Sequence, residues 1–465
     1  MAKSRTSAAM DSAPTFRIET FGCKVNQYDS EAMREDLLSR GWSEASPEGK
    51  ASWVVVDTCA VTHTAAREAL RRIRQLGREP GTRVAVTGCL VPILQTRLET
   101  TPGAALLVPP ASKALLGKAL SDWHAPSPIS SGASPPRPAC LPTDPAATFL
   151  RGISMFAGRS RAIVKAQEGC DQACAYCIIP KARGRSRSRP CEDTASEAQR
   201  LVQAGFQELI LTGIHLGAYG RDLPERMRWT VLVERLLRIP GPWRLRLSSI
   251  EAHEIHEEDI ASIEDFCSRP GPRLCPHLHL PLQSGSPDVL RRMRRPGTLE
   301  AFERTVARLR SIQPDFAITT DVLVGFPGET DRDFENTLDA VRRLAFSRIH
   351  AFPFSPRPGT EAETLPDRVS ADRIRARMQA LASVARDAAT AFHRRFLGRT
   401  VEVLVEEKPD SATGRPLGYS EHYLRVRLDS AADAGRRIDA RVTAVDALGA
   451  DATPAGRVPA AVFAV

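Results

Sequence analysis

A short apolar strand that ends at a cysteine and is followed by a helix occurs three times near the start of the chain. The apolar segments FRIETFGC, WVVVDTC and RVAVTGC end at Cys23, Cys59 and Cys89, and a helical pattern follows each of them. Strands that alternate with helices form parallel sheets, whose ligands bind at the carboxyl ends of the strands. We therefore predict a parallel α/β domain that brings the three thiols to one edge of its sheet.

The middle of the chain repeats the strand–helix alternation without the cysteines. Six apolar segments are strand candidates, at residues 162–166, 208–213, 244–250, 277–283, 317–326 and 348–355. Amphipathic stretches such as LEAFERTVARLRSI separate them. Six successive β/α units predict a curved parallel sheet or partial (β/α)6 barrel, two units short of a closed eight-fold barrel.

The C-terminal part changes to strict alternation of apolar and polar residues. One face carries Val401, Val403, Val405, Leu424, Val426, Leu428, Ile438, Ala440 and Val442. This period of two in short strands predicts a small antiparallel β-barrel. The predicted organisation is an N-terminal domain at 14–120, a Pro/Ser-rich linker at 121–155, a second domain at 156–395 and the small barrel at 396–465.

A second set of thiols, in EGCDQACAYCIIP, follows the first strand of the middle region. Cys170, Cys174 and Cys177 have the spacing C-x3-C-x2-C. The x3 gap differs from a zinc knuckle, and no second C-x-x-C or histidine pair completes a tetrahedral set. A cubane of four irons normally has four thiolate ligands, so three thiolates leave one iron free to bind a substrate or cofactor.

Composition limits the function classes. No apolar run approaches the ~20 residues that span a bilayer, and the N-terminus has no apolar core of a secretory signal. We therefore expect a cytoplasmic protein with reduced thiols and no membrane partner. The net charge of +9, carried mostly by arginine, moderately favours a nucleic-acid partner. No GxxxxGK[ST] sequence is present, so P-loop nucleotide hydrolysis is unsupported.

The CxxxCxxC motif at the end of the first strand of a partial barrel resembles that of the radical S-adenosylmethionine enzymes. The segments FGCKVNQYDSE, DTCAVT, VTGC, LTGIHLGAYGRDL, RLSSIEAHEI, CPHLHLPLQSGSPDVLRRMRR and TTDVLVGFPGET are similar, together, to those of the methylthiotransferases. The resemblance covers the chain from about residue 16 to the C-terminus, apart from the linker. LTGIHLGAYG and RLSSIE are most similar to the subgroup that acts on N6-threonylcarbamoyladenosine beside the tRNA anticodon.

The resemblance implies a methylthiotransferase domain, a radical domain and a C-terminal TRAM barrel that binds RNA. It implies two [4Fe-4S] clusters, one held by Cys170, Cys174 and Cys177 and one by Cys23, Cys59 and Cys89. One S-adenosylmethionine would methylate a sulfur atom on the second cluster, and another would supply the radical that activates the substrate C–H bond. The net change would replace C2–H of the modified adenosine with C2–SCH3. The implied partners are tRNA and an unidentified electron donor, with no DNA.

Further site residues are proposed from position. Thr212, Gly213, Ser249 and Gln283 stand at strand ends of the predicted barrel, where polar residues often face ligands, and they are candidates for cofactor binding. Arg183, Arg185, Arg187 and Arg189 follow the close cysteine triplet, where they are candidates for contact with RNA phosphates or with the substrate carboxylate. No catalytic acid or base can be assigned.

The remaining cysteines and the histidine pairs are predicted to have no part in the site. Cys140, Cys191, Cys267 and Cys275 are interpreted as incidental or structural thiols, and the histidine pairs 253/256 and 277/279 as surface and strand residues. Asp57 departs from the family, in which Asn is more usual.

Three alternatives to the predicted activity stay open: methylthiolation of isopentenyl-adenosine in tRNA, methylthiolation of a ribosomal protein side chain, and non-catalytic RNA binding by an iron–sulfur protein.

Overall fold

The computed structural model of the chain describes residues 13–124, 138–144, 149–271 and 273–455, which form two units. The first unit consists of Met1–Gly152 with the short segment Lys181–Arg183, and the second of Ile153–Pro180 with Gly184–Val465. The second unit therefore includes both the predicted radical domain and the predicted C-terminal barrel.

A six-stranded parallel sheet forms the first unit, as the sequence predicted. Its strands are β1 (Thr15–Thr20), β2 (Ser43–Glu44), β3 (Trp53–Thr58), β4 (Arg83–Gly88), β5 (Ala104–Val108) and β6 (Ala139–Cys140). Its helices are α1 (Lys24–Ser39), α2 (His63–Leu76), α3 (Leu90–Ile93), α4 (Gln95–Glu99) and α5 (Leu116–His124). The strand order is β2-β1-β3-β4-β5-β6, and every neighbouring pair is parallel.

The central position of β3 explains its sequence. All six of its residues are buried, because parallel strands in the middle of such a sheet are covered on both faces. At the sheet edge, β6 lies inside the segment that the sequence predicted as linker. The rest of that segment at 125–137 and 145–148 lies outside the described residues.

The second unit contains the predicted curved sheet. Its strands are β7 (Ala162–Glu168), β8 (Arg187–Ser188), β9 (Glu208–Gly213), β10 (Arg244–Leu247), β11 (Arg273–Leu274), β12 (His277–His279), β13 (Ala317–Val324) and β14 (Arg348–Pro353). The helices are α6 (Ile179–Arg183), α7 (Cys191–Gln203), α8 (Trp229–Leu237), α9 (Glu257–Ser268), α10 (Pro287–Arg292), α11 (Leu299–Ile312), α12 (Asp331–Leu344) and α13 (Ala371–Arg394). The last three residues of α6 belong to the first unit.

All six predicted barrel strands are present and parallel, in the order β10-β9-β7 and β12-β13-β14. A parallel bridge from Ser249 to His279 joins the two groups beyond the end of β10. Two short strands were not predicted: β8 pairs antiparallel to β7, and β11 lies beside β10. The sheet is therefore the predicted partial barrel, extended by the two short strands β8 and β11.

A closed five-stranded barrel follows α13. Its strands are β15 (Thr400–Val405), β16 (Leu417–Ser420), β17 (Arg425–Leu428), β18 (Arg437–Asp446) and β19 (Gly449–Pro454). The residues of the predicted apolar face fill its core, with Ile438 partly buried against it. The predicted small antiparallel β-barrel is confirmed: four of its five strand pairs are antiparallel, and one pair, β17 with β19, is parallel. The long β18 returns antiparallel to β19, and this pairing places β19 beside β17 in the parallel sense.

Two buried arginines fix this barrel to the half-barrel within the second unit. Arg246 donates to the carbonyl oxygens of Ser420 and Glu421, and Arg244 to those of Glu402 and Tyr419. Both guanidinium groups also pair with buried Glu208, and Arg244 pairs with Glu402 as well, so two carboxylates face the two positive charges. Within the described ranges, no helix combines the length and apolar character that a bilayer-spanning segment requires.

Candidate metal and cofactor site

The N-terminal cysteine trio, Cys23, Cys59 and Cys89, lies at one edge of the first unit's sheet. Cys23 precedes α1 in the loop after β1, whereas Cys59 and Cys89 directly follow β3 and β4. These three strands are neighbours in the sheet, so their carboxyl ends meet as the sequence predicted. Cys23 is exposed, and the other two are buried.

Close packing at this edge fixes the backbone around the trio. Gly22 has φ of +110°, and a Cβ added there would lie 2.9 Å from Cys59 Sγ. Only glycine fits this approach without displacing the thiol. Burial, together with the neighbouring Cys89, raises the pKa of the Cys59 thiol to about 11.

A buried ionic cluster lies next to the trio. Lys113 Nζ is 2.8 Å from Asp29 Oδ2 and 3.0 Å from both carboxylate oxygens of Asp57. All three side chains are almost completely buried. Of these three residues, the sequence singled out only Asp57, which stands where Asn is more usual in the family. Because a buried carboxylate needs a cation as its partner, this substitution was a signal that a buried lysine or arginine lies nearby.

Arg183 also belongs to this buried cluster. Its Nε is 3.2 Å from Cys89 Sγ, and its other nitrogen atoms contact Asn26 Oδ1 and Asp29. The sequence predicted contact with RNA for this residue. In the structure its side chain has no exposed surface and its partners are protein groups.

The radical-loop trio, Cys170, Cys174 and Cys177, lies in the loop between β7 and α6 of the second unit. The Cys177 amide donates to the Cys174 carbonyl at 3.0 Å, which makes a tight turn. Backbone bonds from Ala175 to Met293 and from Ala362 to Ala175 attach this loop to other parts of the half-barrel. Burial, together with the other two thiols, raises the pKa of Cys177 to about 12.

Charged side chains contact the radical-loop trio. His215 Nδ1 is 3.6 Å from Cys170 Sγ, and its Nε2 is 2.8 Å from Glu254. Arg295 Nη1 is 3.9 Å from Cys174 Sγ, and Arg295 forms an ion pair with Glu251. Sequence reasoning missed these four residues, although each lies inside a motif that it had noted.

A polar cavity of about 380 Å³ opens beside this loop. Its lining includes Gln172, Ser186, His215, Arg221, His253 and Glu254. Donors and acceptors converge there from several strand ends. This arrangement is typical of a site that binds a polar, charged small molecule.

The four predicted cofactor residues lie at carboxyl strand ends of the same half-barrel. Thr212 and Gly213 end β9, and Gly213 pairs in register with Gln167 at the end of β7. Ser249 forms the bridge after β10. Gln283 adopts φ of +67° and bridges to Val322. Contact of these residues with a cofactor stays a prediction.

The three remaining predicted RNA-binding arginines differ in exposure. The Arg185 side chain is 90% exposed and lies 3.4 Å from Asp171. Arg187 is half-buried in β8. Arg189 is buried and pairs with Glu197. The exposed Arg185 is therefore the best placed of the four to meet a phosphate.

The histidine pairs have structural partners. His256 caps α9 together with Asp259, and both His277 and His279 contact the Thr319 hydroxyl. Among the described residues, no three His, Cys, Asp or Glu side chains are grouped as ligands of a single metal ion. A cubane makes a different demand, because each thiolate binds a different iron and the sulfur atoms therefore stand farther apart. The donor chemistry of both trios suits such a cluster, because each has three thiols and a nitrogen donor beside a sulfur atom, Arg183 Nε at Cys89 and the Gln172 amide at Cys170.

Two family models match the chain. The Radical SAM superfamily model matches residues 164–341, and the model described as Uncharacterized protein family UPF0004 matches residues 15–108. The first range contains the radical-loop trio and the second contains the N-terminal trio.

Several named proteins are similar over most of the chain. Threonylcarbamoyladenosine tRNA methylthiotransferase MtaB of Thermotoga maritima is 37% identical over 413 residues, covering 88% of this chain and 90% of its own. The tRNA-2-methylthio-N(6)-dimethylallyladenosine synthase of Frankia alni is 35% identical, covering 87% and 80%. A solved structure of the radical S-adenosylmethionine methyltransferase TsrM from Kitasatospora setae has a TM-score of 0.54 at 17% identity, covering 76% and 75%. That structure supports the fold alone.

Proposed function

Because the chain belongs to the radical S-adenosylmethionine methylthiotransferase family, we propose that it inserts a methylthio group at C2 of N6-threonylcarbamoyladenosine in tRNA. The observation that carries this proposal is the 37% identity to the Thermotoga maritima enzyme over nearly the whole length of both chains. The Bacillus subtilis protein of the same name is 34% identical over a similar span. The proposed site of action is the cytoplasm.

Radical S-adenosylmethionine enzymes use a [4Fe-4S] cluster and S-adenosylmethionine, and the radical-loop trio would hold that cluster. When bound, the cluster would supply the electron that cleaves S-adenosylmethionine to methionine and a 5′-deoxyadenosyl radical. The chain's own groups fix the ligands. The Gln172 amide, 3.4 Å from Cys170 Sγ, donates to one thiolate, and Arg295 compensates charge near another.

A second cluster on the N-terminal trio is part of the proposal. The product requires a sulfur donor as well as a radical, and three further cysteines provide a separate site with one iron open. The ionic cluster around Lys113 holds the adjoining strand ends rigid, so that the three thiols keep their spacing. tRNA and a reducing partner complete the proposed set of partners.

One competing substrate has a specific observation in its favour. The isopentenyl-type relative from Frankia alni is 35% identical, close to the value for the threonylcarbamoyl type. The alternatives of a ribosomal protein side chain and of non-catalytic RNA binding have no comparable support.

Nucleoside analysis tests the substrate. We expect that cells lacking the protein lose 2-methylthio-N6-threonylcarbamoyladenosine and keep 2-methylthio-isopentenyladenosine. The wild-type chain should restore the lost nucleoside, and the Cys174→Ala variant should not. Loss of the isopentenyl nucleoside instead would transfer the proposal to that substrate. Absence of 5′-deoxyadenosine when the reduced, reconstituted protein is mixed with S-adenosylmethionine would favour the non-catalytic alternative.

A further inference from the structure

The thiol of Cys89 has a charged neighbour that the proposed function does not use. Arg183 donates from Nε to Cys89 Sγ at 3.2 Å, and its outer nitrogens contact Asn26 and Asp29. These acceptors fix the plane of the guanidinium, and its remaining edge faces the sulfur atom. The orientation is therefore set by the protein and does not depend on a ligand.

The buried side-chain charges around Cys89 are balanced as long as no cluster is bound. Lys113 and Arg183 carry two positive charges against the carboxylates of Asp29 and Asp57. Three thiolate ligands would add negative charge at the same edge. Arg183 is the cation in hydrogen-bond contact with one of those sulfur atoms, and a guanidinium stays charged at every physiological pH.

The contact is a direct one between a permanently charged guanidinium and the Cys89 sulfur atom. The same charge would stabilise any anionic group bound at the trio. A surface role fits less well, because the buried guanidinium has no free face for a phosphate.

We propose that Arg183 is a positioning residue for Cys89 and raises the reduction potential of the cluster on the N-terminal trio, a role that rests on the second cluster of the proposed function. Hydrogen bonds to cluster sulfurs and nearby positive charge favour the reduced, more negative state. Arg183 follows Cys177 by six residues in the chain.

A variant with one cluster site isolates the effect. In the full-length chain, Cys170, Cys174 and Cys177 are replaced by Ala, so that reconstituted iron reports on the N-terminal trio alone. Arg183→Leu, which removes both charge and donor, and Arg183→Lys, which keeps the charge, are compared in that background. Arg72→Leu is the matched control, because Arg72 pairs with Glu19 in the same unit and is not bonded to the cysteines. Midpoint potentials are measured by EPR-monitored redox titration, with far-UV circular dichroism as the folding check.

We expect Arg183→Leu to shift the midpoint potential to more negative values, Arg183→Lys to shift it less, and Arg72→Leu to leave it unchanged. Loss of the cluster from Arg183→Leu but not from Arg183→Lys, with unchanged circular dichroism, would also support the role. Equal potentials in all variants would overturn it. If the parent variant binds no iron, the second cluster of the proposed function fails, and this inference fails with it. If the cluster forms and only tRNA affinity responds to Arg183, the inference alone fails.

Discussion

The two cysteine trios are built in opposite ways. The radical-loop trio comes from eight consecutive residues after one strand, so local sequence sets its spacing. The N-terminal trio comes from three strand ends separated by about thirty residues each, so it exists only when β1, β3 and β4 pair in register. The comparison teaches that one kind of ligand set can arise from a loop or from a whole sheet, and that only the second depends on the stability of its domain.

The two trios also differ in the residues that surround them. The N-terminal trio adjoins buried charges that pair with one another, centred on Lys113. The radical-loop trio adjoins a polar cavity, with His215 and Arg221 among its lining residues. A closed ionic cluster rigidifies a site, whereas an open polar cavity admits a ligand.

The greatest difference that we expect is between the products formed when one trio or the other loses a cysteine. Cys174→Ala should reduce 5′-deoxyadenosine formation to background, since the radical cluster loses a ligand. Cys59→Ala should still form 5′-deoxyadenosine but yield no methylthio product, because the sulfur-donating cluster is lost. Iron analysis should give about eight irons per chain in the wild type and about half in each variant.

Cys140→Ala is the control for that experiment, since Cys140 belongs to neither trio and ends β6, which β5 separates from β4 in the sheet. It should match the wild type in iron content and in both products. If Cys59→Ala abolished 5′-deoxyadenosine as well, the two trios would not act as separate sites.

A smaller effect tests the dependence of the N-terminal trio on its domain. Lys113→Met leaves two carboxylates buried without their cation, which typically costs about 3–5 kcal/mol. Hydrogen exchange followed by mass spectrometry should show a loss of that order in the protection of peptides covering β3 and β4. Peptides covering β7 should keep their protection.

Lys118→Met is the matched control, because Lys118 is exposed and pairs only with Asp122 on the same helix. Exposed pairs of this kind contribute at most ~1 kcal/mol. Equal losses of protection for the two lysine variants would contradict the structural role assigned to Lys113.

The smallest expected effect concerns RNA. Arg185→Ala should weaken tRNA binding a few-fold and reduce the steepness of its salt dependence by about one charge, because one exposed phosphate contact is lost. Binding isotherms at several salt concentrations measure both quantities. Arg375→Ala, which removes an exposed ion-paired arginine from α13, should change neither. An unchanged salt slope for Arg185→Ala would remove this residue from the RNA-binding proposal.

Local sequence patterns predicted the strands, the helices and the grouping of the thiols. Periodicity located all six strands of the half-barrel and the apolar face of the C-terminal barrel, and the cysteine at each strand end predicted where the thiols of the first unit would meet. These features are local, since an apolar strand, an adjacent helix and a short motif can each be read from neighbouring residues.

Tertiary packing sets the partners of the buried charges. Asp57 finds Lys113 far along the chain, Arg183 turns from a predicted RNA contact to Cys89, and Arg244 and Arg246 hold a barrel whose residues lie more than 150 positions away. Each of these contacts depends on which segments the packed fold brings together. A charge pattern along the chain carries no record of that proximity, because the desolvation that forces such pairing begins only when the groups are buried.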